Sequence, residues 1–309
     1  MSIVLKGALI FGVAVVVPLG ASVHPHACSR GVRCAAVVAG LLAAGGVVVG
    51  AGSVAVALVL PLGAWVVAAG LLSVRAWSRS AGWLQAALPV ALGYLGVGLL
   101  WLVAHLLDLR PAGFGPPFVA LTAIHFIYAG FAATLIASRV HDLAAQRWPR
   151  ASAAGLVATA SGPPLVAAGF SLFGPLQVAG ALVLTVGLHL IATLLLVAVA
   201  PTTAGLPRWL LTLAAIAVVG PMLLAVHWAA GTTIGFATLS IPAMARSHGV
   251  VNALGFVLPA LIGLRLLTAG GPAHPTSRCA RHDPDSTRTP GVVGQPARSQ
   301  LSAPARSPR

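Results

Sequence analysis

The chain is a succession of long apolar runs separated by short polar gaps. Nine runs stand out, at about 3–22, 35–50, 54–73, 82–105, 117–138, 151–172, 175–200, 209–230 and 248–269. Most are about 17–25 residues long, enough for a helix to cross roughly 30 Å of hydrocarbon. None alternates apolar with polar residues, as the strands of a membrane barrel do. In lipid every backbone N–H and C=O needs an internal partner, so unalternating runs predict helices. Only Gly50-Ala51-Gly52-Ser53 separates the second run from the third. Together those two runs exceed one bilayer, which predicts two helices and a tight reversal. The sixth run contains Gly162-Pro163-Pro164 and is expected to be interrupted there. Residues 270–309 are rich in Pro, Ser, Thr and Arg, carry no apolar period, and read as a disordered basic tail. The expected organisation is an all-α, polytopic membrane helix bundle over 1–269 followed by that tail over 270–309.

Composition supports lipid as the solvent. Hydrophobic residues make up 58% of the chain and charged ones 7%, with a mean hydropathy of +0.98. An ordinary soluble domain has roughly 25% charged residues. Net charge is +14, and the arginines are dispersed through loops and tail. A nucleic-acid partner is therefore not expected; the charge reads as membrane orientation. The gaps after the first, third, fifth and seventh runs hold Arg30, Arg33, Arg75, Arg79, Arg139, Arg147, Arg150 and Arg208, and the tail holds more. The opposite side has only Lys6, Arg110 and Arg246. The positive-inside rule then predicts an external N-terminus, a cytoplasmic C-terminus and multi-pass insertion in the plasma membrane. Arg30 and Arg33 follow the first run closely, so it is expected to stay as a span rather than act as a cleaved signal.

Candidate chemistry is sparse. The chain has no Glu, and none of its four Asp lies deep in a run. This excludes His-Glu-x-x-His metalloprotease, EF-hand and Glu-acid chemistry. Cys28, Cys34 and Cys279 form no disulfide framework. With His24, His26, His274 and His282 they fall on the cytoplasmic side, where a shared zinc site is conceivable but matches no standard spacing. Intramembrane ionisable residues are costly and mark candidate sites. Here those residues are His105, His125, His189, His227 and His248, and all but His189 fall in the outer half. Thr122, His125 and Tyr128 share a broad helix face, as do His248 and Asn252. Ser247 is read as the N-cap of the ninth helix, with Arg246 adding positive charge beside it.

Two segments carry a resemblance. His125-Phe126-Ile127-Tyr128-Ala129-Gly130-Phe131 and Met244-Ala245-Arg246-Ser247-His248-Gly249-Val250-Val251-Asn252-Ala253-Leu254-Gly255-Phe256 resemble signature segments of YndJ-like bacterial membrane proteins. Val15-Val16-Val17-Pro18-Leu19-Gly20 and Pro164-Leu165-Val166-Ala167-Ala168-Gly169-Phe170 are similar as well. The resemblance covers about residues 1–268. It implies a multi-pass protein regarded as a transporter of unknown substrate.

Three functions fit these readings. The first is a small-solute transporter or permease with a His-lined pocket in the outer half of the membrane. Its substrate-facing groups would be His125, Tyr128, Thr122, Arg246, His248 and Asn252. The second is a metal- or haem-binding redox protein using His105, His125, His227 and His248. The third is a non-catalytic assembly protein whose polar groups join helices. The expected partners are the lipid bilayer and, for the transporter, a small-molecule substrate. Oligomeric state is open, and an enzymatic role has no motif behind it.

Overall fold

The computed structural model describes residues 2–23, 30–80 and 82–270. The tail from 271 onward lies outside them, as do the His24, His26, Cys28, His274, Cys279 and His282 of the conceivable zinc site. Among the described residues nine helices are long and apolar enough to span a membrane, and there is no strand. They are α1 (Ile3–Val23), α2 (Arg30–Val49), α3 (Ser53–Trp77), α4 (Trp83–Leu106), α5 (Phe118–Ala144), α6 (Pro149–Ser171), α7 (Gly174–Thr202), α8 (Leu206–Ile234) and α9 (Ile241–Thr268). The chain is thus an all-α polytopic membrane bundle.

Local chemistry sets the ends. Ser2 caps α1, its hydroxyl accepting from Leu5 N–H at 3.4 Å. Gly50 and Gly52 take φ of 96° and 125°, open to glycine at no steric cost, and reverse the chain between α2 and α3. Gly52 N–H then donates to Leu106 O at 2.9 Å, and Lys6 Nζ donates to Val48 O at 3.1 Å. These bonds bring the start of α1, the α2–α3 turn and the end of α4 to one face, here called the N-face. Successive crossings then bring the end of α6, the end of α8 and the start of α9 to that face as well.

α5 is the central helix: 72% of its apolar stretch is buried, against 22% for α3. Phe131, Ile127, Leu135 and Ile136 fill the middle of the bundle. α6 and α7 form the tightest pair, and small residues make it possible. Gly155, Gly162 and Gly169 recur at heptad spacing on α6, opposite Gly180 and Gly187 on α7. A Cβ on Gly187 would lie 2.5 Å from Thr159 N, and one on Gly169 would lie 2.1 Å from Gln177 N.

Two expectations are corrected. α6 is not interrupted: it runs unbroken through Pro163 and Pro164. Pro164 has no N–H for the carbonyl of Ala160, one turn earlier. Tyr94 on α4 supplies the missing donor, its hydroxyl bonding to Ala160 O. α9 begins at Ile241 rather than at 248, with Pro242 in its first turn. Ser247 is therefore no N-cap; its hydroxyl donates to Ala243 O at 2.8 Å inside the helix.

Five stretches widen into π turns: Gly12–Val16, Phe126–Ala132, Leu195–Val199, Ala245–Gly249 and Val251–Val257. Pro18, Pro201 and Pro259 each stand just beyond one of them. A proline ring clashes with the carbonyl one turn back, and a wider turn relieves that contact. The turns at Phe126–Ala132 and Ala245–Gly249 have no proline after them.

Candidate functional site

One cavity of about 770 Å³ opens inside the bundle. That is within the usual range for a small-molecule site. Its wall draws on the N-face halves of α1, α4, α5, α6, α7, α8 and α9. His125 stands about seven residues into α5 and His248 about seven into α9, roughly 10 Å below that end. Asn252 lies one turn deeper. Three π turns supply wall residues: Tyr128 from Phe126–Ala132, His248 from Ala245–Gly249, and Asn252 from Val251–Val257. Such turns shift the register of side chains around the axis and are frequent at functional sites.

The polar groups differ in how far their bonding capacity is used. Tyr128 hydroxyl donates to Ala8 O of α1 at 2.9 Å. Thr122 hydroxyl donates back to Phe118 O at 2.8 Å. His248 Nδ1 lies 2.8 Å from Pro221 O of α8. A carbonyl only accepts, so Nδ1 carries the proton and Nε2 is the bare nitrogen of that ring. Asn252 Nδ2 lies 3.5 Å from this Nε2, 3.4 Å from the protonated Nδ1 and 3.7 Å from Met222 Sδ, all long contacts. Among the described residues five buried polar side-chain atoms have no partner, and two of them belong to the cavity wall: His125 Nε2 and Asn252 Oδ1.

Toward the N-face the wall is aromatic. Trp101, Phe114, Phe118, Phe170 and Trp228 form a continuous arc, with successive ring centroids 6.3, 6.4, 6.1 and 6.2 Å apart. They come from α4, the α4–α5 loop, the start of α5 and the ends of α6 and α8. Among the described residues no Asp, Glu, Lys or Arg is in the wall.

Five of the six expected pocket residues thus share one cavity: Thr122, His125, Tyr128, His248 and Asn252. Arg246 does not. It is exposed, on a different face of the second turn of α9. The four expected metal histidines are not gathered. His105 sits in the last turn of α4 away from the cavity, and His227 is exposed with its ring 5.0 Å from that of Phe236. Among the described residues no three His, Cys, Asp or Glu are placed to share a metal ion. His189 pairs with Val219 O at 3.4 Å, as a helix-joining group does.

Sequence reasoning passed over the aromatic arc. Its signal was available: aromatic residues clustered at the ends of even runs and the starts of odd ones. It also passed over His141, whose Nδ1 lies 2.9 Å from Ser152 Oγ at the opposite end of the bundle. Nearby, Arg139 pairs with Asp142 at 2.8 Å.

The model of the YndJ-like protein family matches residues 7–256. The chain belongs to the YndJ-like family. The match covers the cavity wall except Val4, Leu5 and Val257, and stops before the tail. A similar protein is the "Uncharacterized membrane protein YndJ" of Bacillus subtilis (strain 168), 30% identical over 173 residues. That stretch is 56% of this chain but 31% of the relative, so the YndJ-like chain matches less than a third of the relative's length. No solved structure matches.

Proposed function

We propose that this chain is a small-molecule permease of the bacterial plasma membrane, with its N-face outside and the cavity as an outer-half substrate site. One observation carries the reading: a cavity of about 770 Å³ within the bundle whose wall includes two buried polar atoms, His125 Nε2 and Asn252 Oδ1, left without partners. Buried polar groups are normally bonded, and exceptions concentrate at functional sites. The π turns and prolines in the surrounding helices supply points where spans flex, as the discontinuous helices of transporters do. The orientation rests on the eight arginines at the opposite helix ends and loops against Lys6, Arg110 and Arg246.

A permease has to open its site to both sides in turn. In a background with Cys28, Cys34 and Cys279 replaced by Ser, a cysteine at Ala129 or Ala225 on the cavity wall is expected to react with an impermeant maleimide in both right-side-out and inside-out vesicles. Reaction from one side alone overturns transport and leaves a binding protein.

A second reading has its own observation. The anchoring of His248 Nδ1–H on the Pro221 carbonyl is the arrangement that orients metal-ligating imidazoles, with Nε2 left as the ligand atom. With His125 it gives two imidazoles in one cavity, a set suited to haem. A Soret band in the purified protein, lost in a His125→Ala, His248→Ala variant, would establish it; a colourless preparation refutes it.

A further inference from the structure

The hydrogen-bond inventory of the cavity's polar end selects a class of ligand. Asn252 has a carbonyl oxygen and two amide protons to place. Its oxygen has no partner, and its nitrogen has only the long contacts to His248 and Met222. Turning the amide over does not help: the oxygen would then lie 3.5 Å from the bare Nε2 and 3.4 Å from Nδ1, whose proton is already on Pro221 O. Asn252 thus offers an acceptor in any assignment consistent with His248. His125 Nε2 is the second unused atom. Tyr128 has spent its only proton on Ala8 O and keeps lone pairs.

A hydroxyl is the smallest uncharged group that both donates, as Asn252 Oδ1 requires, and accepts. An ether or ketone has no proton for Asn252. A charged head group fits worse, since among the described residues the wall holds no Asp, Glu, Lys or Arg to balance it. The rest of the wall is apolar, and the arc from Trp101 to Trp228 lies between the polar end and the N-face. We infer, on the reading above that the cavity is a ligand site, that its ligand is an uncharged amphiphile. Its hydroxyl head is taken up at the pole formed by Asn252 and His125, and its apolar body lies along the aromatic arc.

The test uses the full chain in nanodiscs and brominated probes, which quench tryptophan on contact. The probes are 11-bromo-1-undecanol, its methyl ether and the 11-bromoundecanoate anion. Quenching that saturates, and that is missing in a Trp101→Phe, Trp228→Phe variant, reports occupancy of the cavity over unsaturable contact with lipid-facing tryptophans. The alcohol is expected to saturate at about tenfold lower concentration than the ether, because the ether leaves Asn252 Oδ1 unpaired. The anion should do no better than the ether. Asn252→Leu should bring the alcohol-to-ether ratio to about one while apolar binding persists. A short water-soluble alcohol, 4-bromobenzyl alcohol, tells a ligand drawn from water from one drawn from the bilayer by which alcohol saturates first. Equal binding of alcohol and ether by the wild type, a measurement that needs no variant, overturns the inference, as does tightest binding by the anion. Either result leaves the cavity as a ligand site. No saturable quenching by any probe overturns both.

Discussion

Tyr94→Phe removes one hydroxyl and keeps the ring, which packs 5.8 Å from Phe126. The lost bond is the one to Ala160 O, the carbonyl that Pro164 leaves without its helical donor. Interhelical hydrogen bonds in membranes average roughly 0.6 kcal/mol, because separated helices in lipid find other partners. Ala160 O has no such alternative, since Pro164 is present whether or not the helices are packed. The cost should therefore lie above that average, about 1–1.5 kcal/mol, toward the cost of an unsatisfied buried acceptor. Pro164→Ala returns the N–H and makes the Tyr94 bond redundant. In that background Tyr94→Phe should cost under about 0.5 kcal/mol, a coupling of about 1 kcal/mol between the two positions. Unfolding by SDS titration in mixed micelles, followed by circular dichroism, measures all four corners of the cycle. Any change of helix curvature caused by Pro164→Ala is common to both of its corners and cancels. Equal costs of Tyr94→Phe in the two backgrounds would refute the idea that Tyr94 carries α6 through its prolines.

Other outcomes follow from the same contacts. Gly169→Ala and Gly187→Ala, whose Cβ atoms would meet backbone nitrogens at 2.1 and 2.5 Å, should each cost about 2 kcal/mol or more in the same titration. Gly63→Ala and Gly70→Ala, with nothing within 4 Å, should stay within about 0.5 kcal/mol of wild type. His248→Phe should lose about 1 kcal/mol with the bond to Pro221 O, whereas His125→Phe should change stability by less than about 0.5 kcal/mol, because His125 Nε2 has no bond to lose. Equal losses at the two histidines would favour the assembly-protein reading. In a Cys-free background, Arg110→Cys should be labelled by an impermeant maleimide on intact cells, and Gln146→Cys only after permeabilisation; the reverse pattern would invert the proposed orientation.

The bundle was legible because lipid leaves few choices: nine apolar runs without alternation give nine spanning helices among the described residues. Errors fell where local chemistry overrides hydropathy. α5 continues past 138 to Ala144 with its polar side chains paired near its end, Arg139 on Asp142 and His141 on Ser152 of α6. α9 starts a full two turns early because Ser240-Ile241-Pro242 is a helix start. Arg246 and His248, which resembled an interfacial boundary, stand inside the helix. The continuity of α6 depends on a hydroxyl from α4, far away in sequence. No local pattern around Gly162-Pro163-Pro164 contains that information.

The candidate site was legible by residue type and by side of the membrane, not by bonding state. His125, Tyr128, His248 and Asn252 stood out as polar groups in apolar helices, and all four line the cavity. The same criterion raised His105, His189 and His227, which do not. What separates the two sets is packing. His189 finds a carbonyl across a helix interface, and His227 lies against Phe236 at an exposed position. His125 has a buried nitrogen with nothing to bond. A polar group kept in hydrocarbon costs free energy, and a bundle held together by that group would use its hydrogen bonds to offset the cost. Tyr128, His248 and Thr122 do so. His125 and the Asn252 carbonyl do not, and their unused capacity faces the argument for a ligand more directly than any residue identity in the sequence.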